Sequence, residues 1–260
     1  MTDTQQSAPG LSDAQLREVI GLLRDADTTE LKLTVPDEGQ KGWRSTVAAL
    51  DMDPMDAFLR QVFFLDTPNL DLDTAGVVVR ARRTQGKADD SVVKLRPVVP
   101  SELPAEIREH KRFGVEVDAL PGGFVCSGSF KGKLGDDVVR PIIAQGGKLS
   151  ELFDEHQRAF YAEHAPEGIG LDDLSVLGPV LVLKLKFSPE GYEHRLVAEV
   201  WLYPDGTRIL ELSTKCSPDE AFQVAAETRA YLSELGVDLY GEQQTKTRTA
   251  LEYFAGQLQA

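Results

Sequence analysis

Between Val77 and Val98 two apolar runs carry basic residues at every second position, Arg80 and Arg82 in the first, Lys94 and Arg96 in the second. In a β-strand residues i and i+2 share a face, so each run puts its basic groups on one side and Val79, Ala81, Val93 and Leu95 on the other. The connection from Thr84 to Asp90 is polar, contains Gly86 and has hairpin length. Two strands joined in this way lay their basic faces side by side.

The pattern recurs along the chain. Glu30 and Lys32 alternate with Leu31 and Leu33, Glu116 and Asp118 with Val115 and Val117, and Lys184 and Lys186 with Leu183 and Leu185. Glu211, Ser213 and Lys215 alternate with Leu210 and Leu212. A solvated antiparallel sheet also has one polar face, but such a face ordinarily mixes Thr, Ser and Gln with its charges. Here almost every polar position is a full charge and arginine is frequent. The planar, permanently charged guanidinium suits phosphate oxygens, so the pattern predicts a polyanion-binding surface.

Eight strands are expected: 29–35, 56–66, the opening pair, 113–119, 179–187, 195–203 and 208–216. A charged face on a sheet this long is best accommodated by curling it around a polar tunnel, with helices over the apolar outside. The fold class is therefore α+β, an eight-stranded antiparallel β tunnel closed as a barrel with flanking helices. Residues 1–10 read as a disordered tail and 11–260 as a single domain, with a partly helical insertion at about 120–177. Apolar residues at 16, 19, 20 and 23 predict a first helix, a short one is expected over 42–50, and Ser150 is expected to cap another through Tyr161. Ser217-Pro218-Asp219-Glu220 is a capping box that starts a C-terminal helix, and a weaker helix follows over 245–258.

Charge narrows the partner. The chain of 260 residues has a formal net charge of -14, which argues against a duplex nucleic-acid surface and favours a small polyanion held in an enclosed basic site. No apolar run approaches the roughly 20 residues needed to span a bilayer, and residues 1–10 have neither the basic nor the apolar region of a secretory signal. Two cysteines make no disulfide framework, so a reduced, cytoplasmic protein is expected. Asp71 to Arg82 begins like a calcium loop, but Ala75 and Arg82 occupy ligand positions. The four histidines, His110, His156, His164 and His194, show no ligand spacing.

Taken in order, Glu30-x-Lys32, the Asp66-Thr67-Pro68 turn leading to Arg80-x-Arg82, Lys94-x-Arg96, Glu116-x-Asp118 and the Asp205-Gly206 hairpin before Glu211 resemble the CYTH, or triphosphate tunnel, superfamily. That resemblance spans about residues 28 to 216 and leaves 120–177 unaccounted for. It implies a divalent-metal-dependent phosphohydrolase acting on an inorganic or organic triphosphate, like the family's inorganic and thiamine triphosphatases. The alternatives are a class IV type adenylate cyclase and a non-catalytic polyphosphate or nucleotide binder. It further implies that Arg80, Arg82, Lys94, Arg96, Lys184 and Lys186 hold phosphate, with Lys32 and Lys215 at the tunnel ends. Glu30, Glu116, Asp118, Glu199 and Glu211 would form the metal side, for Mg²⁺ or Mn²⁺. Where the family has Glu-x-Glu-x-Lys this chain reads Thr28-x-Glu30-x-Lys32, and Ser213 stands where a second late acid is expected.

Overall fold

The alternating runs form nine strands closed into one barrel in the computed structural model, which describes residues 12–35, 42–121, 123–237 and 246–259. The strands are β1 (Thr28–Val35), β2 (Phe58–Asp66), β3 (Val77–Thr84), β4 (Asp90–Leu95), β5 (Phe113–Leu120), β6 (Gly123–Lys133), β7 (Ser175–Phe187), β8 (Leu196–Leu202) and β9 (Arg208–Cys216). Around the wall they run β1-β5-β6-β4-β3-β2-β7-β8-β9, and β9 closes on β1. Every ladder is antiparallel except that between β1 and β5, which is parallel. The helices are α1 (Asp13–Arg24), α2 (Trp43–Ala49), α3 (Asp71–Thr74), α4 (Ala105–Arg108), α5 (Val139–Ala144), α6 (Glu155–His164), α7 (Ala221–Glu234) and α8 (Lys246–Gln259). The tail expected at residues 1–10 lies outside the described residues.

The ninth strand, β6, corrects the expected eight and takes the first part of the segment read as an insertion. Its inner face carries Val125, Ser127 and Ser129 over most of its length and turns basic only at the end, with Lys131 and Lys133, so the charged alternation that marks its neighbours is confined to the last few residues. Its glycines also look like breakers, yet Gly132 is there for close packing: a Cβ would lie 2.3 Å from Gln157 Oε1 and 2.7 Å from Ser91 Oγ. The bare backbone lets α6 dock on the barrel, where buried Gln157 accepts from Ser91 Oγ and donates to the Phe130 carbonyl. The cap of α6 is Asp154, not Ser150; Asp154 accepts from the backbone N–H groups of His156 and Gln157, while Ser150 donates to Asp172. Aspartate at this position satisfies orphan amides of the first turn. The capping box at Ser217 and Glu220 forms as expected and leads into α7.

Outside the wall, Val77, Val79, Ala81, Val93, Val115 and Val117 pack under α1, α5 and α6. A second outer cluster joins Leu185, Leu196, Leu210 and Leu212 to α2 and to Leu232 of α7. Fully buried Leu or Phe side chains in such layers are each worth about 1.5–3 kcal/mol. The third cluster is different in kind. Val62, Phe64, Val180, Val182, Trp201 and Ile209 share the face of Arg60, Arg80, Lys184 and Glu199, which is the lumen, and Ala250 and Leu251 of α8 pack against them. The expectation that the flanking helices lie over the apolar outside is therefore corrected for one of them: α7 lies there, and α8 plugs one end of the tunnel. This explains the unbroken apolar run from Val62 to Leu65, since a strand covered on both faces has no need of polar alternation. Among the described residues no helix is long and apolar enough to cross a membrane.

Candidate functional site

With α8 filling the end near Phe64 and Trp201, the charged residues of the other half line a tunnel with one open mouth. Register decides which side chains face inward. Arg80 lies opposite Phe64 on β2 and Val92 on β4, and Lys94 lies opposite Val78, so Arg80, Arg82 and Lys94 share the inner face. Lys184 pairs across to Glu199, and Glu199 to Glu211. Glu30 pairs with Lys215 on one side and Asp118 on the other, and Lys32 with Ser213. Arg96, just past β4, reaches Asp118 at 3.5 Å. Lys186 lies on the same face as Lys184 but is exposed at the rim.

The predicted acids separate into two groups. Glu30, Glu116 and Asp118 each offer an oxygen, and these atoms lie within 4.8 Å of one another. Lys32 binds Asp118 at 2.6 Å and Glu30 at 3.1 Å, so it sits among the acids rather than at a tunnel end. Lys215, half-exposed at the mouth, contacts Glu116 and Glu30. Burial would raise the Asp118 carboxyl, but Lys32 and Lys94 outweigh it and hold it low. Burial likewise opposes ionisation of Glu116 and is overcome by Lys215. Thr28 donates to Glu116 at 3.4 Å and Ser213 to Glu30 at 3.2 Å. The two departures from the acidic pattern thus orient the carboxylates that remain.

Glu199 and Glu211 form the second group and are already neutralised. Lys246, the first residue of α8, reaches Glu199 at 2.6 Å and Glu211 at 2.5 Å, and Lys184 reaches Glu199 at 2.6 Å. Burial works against the Glu199 charge, yet Lys246 and Lys184 bring its pKa well below the ordinary glutamate value. Sequence reasoning missed Lys246. A signal existed, because Ala250, Leu251 and Phe254 put it on the apolar side of its helix, where an unpartnered lysine would be costly. It missed Arg60 too, a single inward arginine in an apolar strand with no i+2 charged companion.

Facing the acids is a basic wall on β2, β3 and β4. Arg82 is held by Asp90 at 2.7 Å and Arg60 lies 3.7 Å from Glu199. Arg80 makes no ion pair among the described residues, and its Nε is buried without a hydrogen-bond partner. Burial, then the Arg82 charge, push Arg80 down to about 9. Lys94 is pushed down to about 8 by burial, with Asp118 4.0 Å away only partly opposing this. Cations whose charge is disfavoured in the free protein are poised to gain from an anion.

The oxygen-only set of Glu30, Glu116 and Asp118 fits a hard divalent cation such as Mg²⁺ or Mn²⁺, and the Asp118 Oδ2 atom, buried with no hydrogen-bond partner, supplies an acceptor that such an ion would satisfy. Half-exposed Lys215 is the group an entering cation would displace.

No family model and no curated protein matches this sequence. Solved structures do match. "Putative adenylyl cyclase HpAC1" from Hippeastrum, described as revealing a dominant triphosphatase activity, is similar with a TM-score of 0.64 at 15% identity, over 86% of this chain and 95% of that one. A "putative adenylate cyclase" from Bacillus halodurans is similar with a TM-score of 0.58 at 12% identity, over 86% of this chain and 97% of that one. These likenesses show that the chain shares its fold, a closed β-barrel with flanking helices, with those two proteins.

Proposed function

We propose that the protein is a divalent-metal-dependent phosphohydrolase that takes the end of a triphosphate into the tunnel. The observation that carries this reading is the wall of under-paired cations, Arg80, Arg60 and Lys94, facing three clustered carboxylates across one lumen. Phosphoryl transfer asks mainly for positioning and charge neutralisation, and a one-ended basic tunnel supplies both. Arg80 and Arg82 would hold oxygens of one phosphate, Lys94 and Arg96 those of the next, and Lys184 the side nearer Glu199. Glu30, Glu116 and Asp118 would hold the metal, which would supply charge neutralisation for the phosphate and a more nucleophilic water. Thr28 and Ser213 keep two of those carboxylates aimed. Hydrolysis is favoured over cyclisation because HpAC1 is described with a dominant triphosphatase activity and because α8 fills the plugged end where a nucleobase could otherwise stack.

The test is incubation with tripolyphosphate, ATP and thiamine triphosphate, each with Mg²⁺ or Mn²⁺. Release of phosphate is expected. Cyclic AMP with pyrophosphate would assign a cyclase, and binding without products would assign a binder.

Glu116→Gln is expected to lower metal-dependent turnover about 100-fold or more, while tripolyphosphate binding measured without metal stays constant or tightens. Losing the carboxylate removes a ligand oxygen and frees Lys215 for phosphate. Equal loss of turnover and metal-free binding would show that Glu116 acts on the fold instead.

A further inference from the structure

At the open mouth, outside the residues placed so far, Lys111, Arg112, Lys131 and Lys133 line a groove of about 500 Å³ together with Phe113 and Gly114. Arg112 is held by Asp154, whereas the three lysines make no ion pair among the described residues. Unpaired lysines converging in one groove are unexpected in a chain with a net charge of -14, because so many acids are available to pair with them. They are spaced by strand geometry. Lys131 lies opposite Val92, and Val92 opposite Arg80, so Lys131 and Arg80 share a row and a face two strand spacings apart, about 10 Å. Lys133 follows one step toward the mouth, about 7 Å farther along the strand. Gly114 and Ser129 face each other in the next row inward, beside Lys94, and neither side chain obstructs the passage.

We propose that this groove continues the phosphate site out of the tunnel, and that the chain it accepts is a linear polyphosphate longer than three phosphates. The identity of the ligand rests on the phosphohydrolase reading; the groove itself rests on its own geometry. Lysines along a track suit a uniform row of phosphates, since each acts as a point charge that needs no fixed orientation. A nucleic acid strand would need aromatic faces for its bases. The one aromatic ring in the lining, Phe113, is committed to the core, 5.1 Å from the Phe130 ring and 5.6 Å from Phe160. A terminal phosphate at Arg80 and Lys94 would leave the rest of the chain crossing Lys131 and Lys133 toward Lys111.

The experiment compares the wild type with the double variant Lys131→Ala, Lys133→Ala, both positions being exposed on a strand end. Binding of tripolyphosphate and of long-chain inorganic polyphosphate is measured by titration calorimetry without metal, at low and at high salt. The expected result is a roughly tenfold weaker Kd for the long chain and a change below about twofold for tripolyphosphate, with the difference shrinking at high salt. Unchanged long-chain affinity, or equal weakening of both ligands, overturns the groove. Displacement of the long chain by an oligonucleotide of equal charge also overturns it and assigns the lysines to a nucleic acid backbone. Because binding is read without turnover, the outcomes stay separable from those of the functional reading. Long-chain binding through the groove with no hydrolysis of any phosphate would retain the groove and remove the phosphohydrolase.

Discussion

Arg80→Met is expected to make the ligand-free protein more stable and its tripolyphosphate affinity lower. The arginine is half-buried with its Nε enclosed, has no ion pair among the described residues and sits beside the Arg82 charge, so the free barrel bears its desolvation without recovering it. Methionine fills similar volume with no charge to bury, and replacements of this kind stabilise by about 1–4 kcal/mol. For a chain of this size each kcal/mol raises Tm by about 2–4 °C. Charge-assisted hydrogen bonds lost to the phosphate are each worth about 1.5–3 kcal/mol, which predicts about 10- to 100-fold weaker binding. Urea denaturation with and without tripolyphosphate measures both effects. The wild type gains about 2.7 kcal/mol at 100 times Kd by mass action, and the variant should keep only about 0.4–1.4 kcal/mol of that gain at the same concentration. A destabilised variant with unchanged affinity would remove Arg80 from the anion site.

The second large effect concerns α8. Lys246→Met leaves Glu211 buried beside Glu199 with its ammonium partner gone, while Glu199 keeps Lys184. Breaking a buried pair from one side costs about 3–5 kcal/mol. Adding Glu211→Gln should restore much of the loss, and the double-mutant cycle reads the coupling. Simple additivity of the two variants would show that the pair is not what holds the helix in the tunnel. The pH dependence has a definite sign. Glu199 has a depressed folded pKa, so its contribution is full above the ordinary glutamate value of 4.5 and disappears as pH falls through the folded value. Burial opposes the Lys246 charge, but Glu211 and Glu199 raise its pKa above the ordinary lysine value of 10.5. Its contribution is therefore full below 10.5 and lost as pH rises through the folded value. The gap in stability between wild type and Lys246→Met should be widest between these limits and close on acidification.

The family resemblance also put Glu199 and Glu211 on the metal side. In the structure Lys246 pairs with both, Lys184 pairs with Glu199 as well, and neither acid belongs to the carboxylate cluster of Glu30, Glu116 and Asp118. On the proposed reading the cation is therefore expected at Glu30, Glu116 and Asp118, whose oxygens lie within 4.8 Å of one another. Metal titration of the Lys246→Met variant extends the second test, since it separates the vacated pair of Glu199 and Glu211 from the cluster at Glu30, Glu116 and Asp118.

What this sequence determined by itself is which side each strand residue faces. Period-two alternation follows from backbone geometry within a few residues, so Arg80, Arg82, Lys94, Lys184 and Glu116 could be placed on a common polar face from local spacing alone. The Asp66 turn and the Ser217 capping box were legible for the same reason, because each hydrogen-bond partner lies within seven residues. Partner choice across the barrel was decided only by the tertiary structure. Glu30 meets Glu116 and Asp118 through a parallel ladder between segments more than 80 residues apart, β6 enters the wall with its charges only at Lys131 and Lys133 at its end, and Lys246 reaches Glu199 across 47 residues. Local spacing fixes the direction in which a side chain points. Which charge it meets depends on strand order, register and the docking of α8, and these are set by burying the apolar faces of the whole chain at once.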